Sequence, residues 1–437
     1  MDERRIETQI AVIGSGAAGG TIARELTRRG MNVVVVEKGP DWNWPIGHYI
    51  AYRTLYNIHR SKENVIIRRG VCTGGSTVIY SGNAFNPPAG FMEMLGIDFS
   101  DDLAVMRKEL GVAPLPDSFY KGWSASLRLV ESAQQHGITL KLQEKLIDSD
   151  KCVPGCDSCL LGCKRGAKWT SRPFLEEAKA GGALLLTRTE VERIEIENGK
   201  ARGLWARDRE GDLFIAAEKI ILCAGGIGTP IILLKSGIKN AGTHFFTDPM
   251  SILFGVTRGK GMRSEMTYTF ASEDYLGEFL MGTTSAQNSM TAQVLRHPVK
   301  ALAKLPSFPH GIGMFVKLCD SAGGRIDETG AISKPLDADD RGRMEKGIRL
   351  AKKIMTSAGA DPDSILVARY IGGHPGGTAG IGRVVNSSLQ TDIGGLYVCD
   401  ASVIPRSMGV PLVLILVSLA RWFSRSLVSS ETAASAS

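Results

Sequence analysis

Residues 8–37 read TQIAVIGSGAAGGTIARELTRRGMNVVVVE. An apolar β run, Thr8 to Ile13, leads into GSGAAG at Gly14–Gly19. A helical pattern follows through Ala23, Leu26 and Arg29, and a second strand, Met31 to Val36, ends in Glu37. Strand, glycine loop, helix and strand in that order are the context in which a G-x-G-x-x-G run reads as a dinucleotide fingerprint. Gly14 permits the tight turn, Gly16 lets the main chain approach a pyrophosphate, and Gly19 packs the helix on the sheet. Ala17 and Ala18 open the helix, whose N-terminus attracts phosphate charge. Glu37, 18 residues past Gly19, stands where a carboxylate accepts from ribose hydroxyls. The segment predicts an α/β protein with a Rossmann-like nucleotide domain.

The rest of the chain bounds the class. Its 437 residues exceed one typical domain, so two domains or an interleaved pair are expected. Apolar residues at 43% and charged residues at 22% are ordinary for a globular protein, and the 51 glycines cluster in loops rather than in low-complexity tracts. A formal charge of +7, with no basic stripe interleaved with aromatics, excludes nucleic acid as the expected partner. Of eight cysteines, four fall within twelve residues, while Cys72, Cys223, Cys319 and Cys399 stand singly, which is unlike a spread disulfide framework. The start runs straight into a strand without an apolar signal region, so a reducing cytoplasm is the expected compartment. The longest apolar run, Val410 to Ala420, is too short to span a bilayer. It reads as a buried helix and leaves a peripheral membrane contact open.

Three further glycine-rich stretches follow the first: RRGVCTGGSTVIYSGN at 68–83, LCAGGIGTPIILLKSGI at 222–238, and GGLYVCDASVIP at 394–405. In this order they resemble the glucose–methanol–choline family of FAD oxidoreductases, most closely the branch with the long-chain alcohol oxidases, which carries a Cys-rich segment before a GAK-type sequence. The resemblance implies FAD as cofactor, with Gly74, Gly75 and Ser76 along the isoalloxazine and pyrophosphate, Val191 at the adenine, and Asp400 over the ribityl–phosphate region. It also implies that His374, in GGHPGGTAGIG at 372–382, faces the flavin as general base. Imidazole suits that role because its ordinary pKa lies near working pH. One departure stands out. The family commonly places a second His or Asn near the C-terminal helix, whereas the matching run here, SMGVPLVLILVSLA, has Pro411. Proline offers only its carbonyl. Either one histidine suffices, or the reaction is not simple alcohol oxidation.

The run CVPGCDSCLLGCKRGAKW, 152–169, spaces Cys152, Cys156, Cys159 and Cys163 with gaps of three, two and three. Four readings compete. Zinc suits four thiolates, although zinc knuckles are usually paired across a longer loop. Cys152, Cys156 and Cys159 match the spacing of radical S-adenosylmethionine enzymes, which the flavin motifs contradict. Inert or disulfide-paired cysteines are the third reading. The expected one is a 4Fe–4S cluster, since short gaps let neighbouring thiolates wrap a single cluster. Such a centre passes flavin electrons singly to a ferredoxin-like or quinone carrier. Lys164, Arg165 and Lys168 then dock an acidic carrier or raise the cluster potential, unless they are only a solvated basic loop.

The expected layout is a discontinuous FAD domain (1–90, 178–250, 366–437), a Cys-bearing cap segment (91–177) and a substrate domain (251–365). The last begins with strand-like SILFGVT, EMTYTF and EFLMGTT and ends in an amphipathic helix, about Ala338 to Ala358. The resemblance implies an antiparallel sheet over the flavin. The expected function is an FAD-dependent dehydrogenase that oxidises a C–OH group of a small, lipophilic substrate by hydride transfer to flavin N5. The rivals are a ferredoxin-linked reductase saturating a C=C bond, which Pro411 slightly favours, and a flavin/iron–sulfur electron carrier with no substrate of its own.

Overall fold

The computed structural model describes residues 4–42, 47–48 and 50–435. The N-terminal unit forms as expected: β1 (Arg4–Ile13), α1 (Ala17–Thr27) and β2 (Val33–Val36). β1 and β2 pair in parallel, Ile10 opposite Val33 and Ile13 opposite Val36. Both are buried at these residues, which is why they read as continuous apolar runs rather than alternating ones. A Cβ on Gly19 would lie 1.9 Å from the Gly14 carbonyl oxygen, so only glycine lets α1 close onto the turn.

The chain next forms an antiparallel hairpin, β3 (Tyr56–Arg60) and β4 (Ile66–Gly70). Loops and short helices, including the cysteine segment, lead to β5 (Leu184–Leu186), β6 (Glu190–Glu197), β7 (Lys200–Asp208) and β8 (Gly211–Leu222). The first sheet runs β5-β2-β1-β8-β7-β6. It is parallel from β5 to β8 and antiparallel beyond. α2 (Gly225–Lys235) leaves the end of β8.

The second sheet takes β9 (Met250–Val256), β10 (Phe270–Ser272), β11 (Phe279–Thr283) and β12 (Gly311–Leu318). α3 (Ala338–Ser357) covers one face of it, so close that a Cβ on Gly347 would meet Val316 at 2.4 Å. β13 (Leu366–Gly372) then joins the sheet, β14 (Leu396–Val398) returns to β8, and α4 (Val413–Ser435) closes the chain. The order is β3-β4-β13-β9-β12-β11-β10, extended by the two-residue strand Lys141–Leu142.

Three details differ from the sequence reading. β3, β4 and β13, inside segments 1–90 and 366–437, pair in the second sheet. That sheet is mixed rather than wholly antiparallel, because β4 and β13 run in parallel. EMTYTF contributes only Phe270 to a strand: Glu265 accepts hydrogen bonds from the amides of Ala125 (3.2 Å) and Ser126 (2.9 Å), and Tyr268 has a φ of +54°, outside the strand region. The apolar run at 410–420 does enter a buried helix, α4. Among the described residues no helix is long and apolar enough to cross a membrane.

Candidate active site

A groove of about 250 Å³ opens at the carboxyl ends of β1, β2 and β8, the crevice where parallel α/β sheets bind ligands. Gly14, Gly16, Ala17 and Ala18 form one wall; Glu37, Gly75, Ser76, Val191, Asp400 and His374 are also on its lining. Gly19 and Gly74 act from behind it. Gly19 packs α1, and the Gly74 amide donates to Ser15 Oγ at 3.1 Å. No atom lies within 4 Å of where a Cβ on Gly16 would stand, and a Cβ on Gly75 would come within 2.9 Å of Gly16 Cα. The main chain is therefore bare toward the groove, beside the first-turn N–H groups of α1 that no helical carbonyl satisfies. This cradle fits a dinucleotide.

Two carboxylates brace it. Glu37 Oε2 accepts from Ser15 N (3.1 Å) and Ser15 Oγ (2.6 Å), and Oε1 accepts from Gly39 N (2.7 Å). Burial pushes its pKa up against these bonds. The carboxylate thus holds the glycine loop with most of its acceptor capacity and leaves one lone pair of Oε1 unused. Asp400 accepts from Gly225 N (2.7 Å), Thr229 Oγ1 (2.6 Å) and Ser402 N (2.8 Å), fastening the start of α2 to the strand-end turn.

The groove meets a second cavity of about 150 Å³ at a shared wall of Ser76, Gly373, His374 and Val413. Here the second sheet's register does the assembly. Met250 pairs with Lys317 of β12 on one side and with Ile371 of β13 on the other. Asp248, two residues before β9, and His374, two past β13, therefore converge with Lys317. His374 Nδ1 lies 3.2 Å from Asp248 Oδ2, and the same oxygen accepts from Lys317 Nζ at 2.6 Å. Ser407 Oγ donates to Asp248 Oδ1 at 2.5 Å. Behind them Asp320 accepts from the Asp248 amide at 2.9 Å and pairs with Lys334 at 3.0 Å. Asp248 holds a left-handed φ of +44°, a conformation Asp tolerates better than most residues.

Charge sets the protonation. Burial alone would raise the Asp248 carboxyl, but the Lys317 ammonium and His374 hold it below the usual carboxylate range. An ionised carboxylate only accepts, so the bond requires the proton on His374 Nδ1 and leaves Nε2 as an acceptor. Burial, together with Lys317, lowers the His374 pKa against the pull of Asp248. Along β12, Phe315 and Lys317 face the cavity at the two-residue strand period, and Met250, Leu280, Tyr268 and Pro411 border it too. Sequence reasoning missed Asp248 and Lys317. The available signal for the second was a lone lysine within the apolar run GIGMFVKL.

The four cysteines share one loop but are not gathered into a ligand set. Among the described residues no three His, Cys, Asp or Glu side chains stand together as a metal site. All four thiols are free: Cys159, on the short helix Cys159–Leu161, is buried, whereas Cys152, Cys156 and Cys163 are half-buried. Left-handed turns at Gly155 and Gly162 set the course of the chain between them. Lys168 departs from its expected docking role, because its ammonium is buried and donates to the carbonyls of Val78, Tyr80 and Cys159, each at 2.8 Å. Lys164 and Arg165 are exposed.

A nucleotide crevice that opens through His374 onto a sheet-roofed cavity defines a flavin-dependent oxidoreductase of the two-domain class. The chain belongs to the GMC oxidoreductase family, whose N-terminal profile matches residues 9–252 and whose C-terminal profile matches 331–420. It is 27% identical to an uncharacterized protein of Methanocaldococcus jannaschii over 421 residues, 96% of this chain and 99% of that one. It is 22% identical to a long-chain-alcohol oxidase of Arabidopsis thaliana over 522 aligned positions, covering 99% of this chain and 69% of the relative. The crystal structure of pyridoxine 4-oxidase from Mesorbium loti shares the fold, with a TM-score of 0.74 at 16% identity over 96% of this chain and 99% of that one.

Proposed function

We propose that this FAD oxidoreductase oxidises a CH–OH group of a small molecule held in the cavity, with His374 as general base. The observation that carries the reading is the position of His374 on the wall shared by groove and cavity, with Nε2 left as acceptor by the Asp248 bond. Bound FAD, held by the Gly14–Gly19 loop, Glu37, Gly75, Ser76, Val191 and Asp400, supplies the two-electron acceptor that removal of a C–H hydride requires. The chain's own residues do the rest. His374 Nε2 takes the hydroxyl proton, and Asp248 fixes the ring and stabilises the imidazolium that forms. Lys317 is the donor near the oxygen in place of the side chain that Pro411 lacks, for both residues line the cavity. The relatives named as long-chain-alcohol oxidases support the reaction class, not a particular substrate.

The rival, saturation of a C=C bond, needs an acid at this position to protonate carbon. A histidine kept neutral by burial and by Lys317 has the opposite polarity. Anaerobic bleaching of the flavin by alcohols tests the proposal; bleaching only by dithionite or reduced ferredoxin overturns it.

An iron–sulfur centre at Cys152, Cys156, Cys159 and Cys163 stays a second reading, favoured by one observation. Lys145 and Lys168 are buried beside this loop and bond to carbonyls and the Asn83 amide oxygen; among the described residues neither hydrogen-bonds a carboxylate, and the charge of buried Asp157 acts on Lys145 alone. Two buried ammonium groups suit a neighbouring anion. The thiols as arranged do not fit a cluster, so no electron step is assigned to them. Iron and acid-labile sulfide near four per chain in anaerobically purified protein would establish the centre; their absence, or zinc in their place, removes it.

A further inference from the structure

We infer that the substrate is a hydroxy acid, its carboxylate bound by Arg68 while its hydroxyl meets His374 and Lys317. This inference rests on the alcohol-oxidation reading above and names its substrate class.

Successive residues of β4 face opposite ways. Arg69 borders the nucleotide groove, donates to Asn57 Oδ1 at 3.3 Å and feels the charges of Glu37 and Glu190. Arg68 borders the substrate cavity instead. The parallel register of β4 with β13, Ile66 to Ile371 and Ile67 to Gly372, brings Arg68 beside Gly373 and one step from His374. Its guanidinium stands 6.0 Å from the Tyr56 ring centroid and acts on the Tyr268 hydroxyl.

What this arginine lacks is an anion. Among the described residues no Asp or Glu lines the cavity, and the Arg68 guanidinium makes no ion pair or hydrogen bond. The other cation on the wall, Lys317, is already neutralised by Asp248 at 2.6 Å. The same wall carries Tyr80, whose buried hydroxyl has no hydrogen-bond partner. A half-buried, uncompensated guanidinium is costly to the empty protein, and an entering anion offsets that cost. The guanidinium fork matches a carboxylate in bidentate geometry.

Size and lining narrow the class. About 150 Å³ is small beside the roughly 300–1,000 Å³ of usual ligand sites. Ile79, Phe85, Leu280 and Phe315 supply apolar contact around the two polar ends. A short aliphatic hydroxy acid fits these requirements, whereas a phosphate dianion asks for more donors than one free arginine. Oxidation turns the carbinol into a carbonyl: the hydroxyl proton passes to His374 Nε2, bound FAD would take the carbinol C–H hydrogen with its electron pair as hydride, and a keto acid leaves.

The test compares 2-hydroxybutyrate and 3-hydroxybutyrate with their methyl esters, by anaerobic stopped-flow bleaching of the holoenzyme. Wild type is expected to favour an acid over its ester. Arg68→Met should lower the acid-to-ester ratio of kcat/KM by roughly 30-fold or more, mainly through KM, with partial recovery in Arg68→Lys. An equal loss for acid and ester, or a changed flavin spectrum in Arg68→Met, would assign Arg68 to the flavin and overturn the inference. A wild-type preference for the ester overturns it as well. If neither acid nor ester bleaches wild type while other alcohols do, the inference fails and alcohol oxidation stands; if no alcohol bleaches it, alcohol oxidation is what fails, and butyrate binding decides the anion site separately. A flavin spectral shift with butyrate that Arg68→Met abolishes supports the site, and no shift refutes it.

Discussion

Asp248 and His374 are 126 residues apart in the chain and 3.2 Å apart in the fold. Their pairing turns a histidine in a glycine-rich turn into an oriented base. It also connects the site to Lys317, which shares the same carboxylate oxygen.

Replacing Asp248 by Asn keeps the shape and removes the charge that selects the His374 tautomer. We expect kcat to fall by about 100-fold or more with flavin content retained, the scale on which misplaced general bases and their orienting partners act. Melting should also drop, because buried Lys317 loses its counter-charge. Turnover and thermal denaturation, measured on one preparation, check both.

Acid should inactivate oxidation late. His374 must be neutral to accept a proton, and its pKa lies below the ordinary imidazole value of 6.5. Activity is therefore full above that lowered pKa and lost as pH falls through it. Lys317→Met removes a charge that pushes the pKa down, so the acid limb of kcat/KM should move to higher pH. A limb that stays put contradicts the electrostatic assignment.

Gly19→Ala and Gly16→Ala should separate packing from cofactor contact. A methyl at Gly19 collides with the Gly14 carbonyl at 1.9 Å, so stability should fall by about 3 kcal/mol or folding should fail. A methyl at Gly16 points into open groove. The apoprotein should melt nearly as wild type, while the ratio of flavin to protein absorbance falls.

Glu37→Ala removes the acceptor for Ser15 and Gly39. Leaving buried donors unsatisfied costs about 1–3 kcal/mol each, spent here within the pyrophosphate loop. We expect apoprotein that recovers flavin only at raised FAD concentration; normal FAD titration would deny Glu37 this bracing role.

Much of this was legible in the sequence, and the remainder was hidden for physical reasons. The β1–α1–β2 unit declares itself because its chemistry is local: glycines, a helix start and an acidic strand end lie within 30 residues. His374 was singled out through its motif and the resemblance that the motif carries. Asp248 sits in THFFTDPM, where Asp before Pro reads as an ordinary turn, and only the pairing of three strands gives it a partner. Arg68 and Arg69 look alike as a dipeptide, and the pleat alone sends them to different cavities. Glu265 and Tyr268 defeated the strand expected at EMTYTF, one by holding a distant helix start and the other by its left-handed backbone. The cysteine spacing suggested a cluster, but among the described residues the loop does not bring the thiols into a metal-ligand set.

The central claim is that His374 takes the proton during flavin reduction. Anaerobic stopped-flow reduction by a competent alcohol, comparing wild type with His374→Ala at matched flavin content, tests it most directly. The account predicts a rate of flavin bleaching lower by about 100-fold to 10,000-fold, with the bound flavin's spectrum preserved. Bleaching at the wild-type rate in His374→Ala would contradict it.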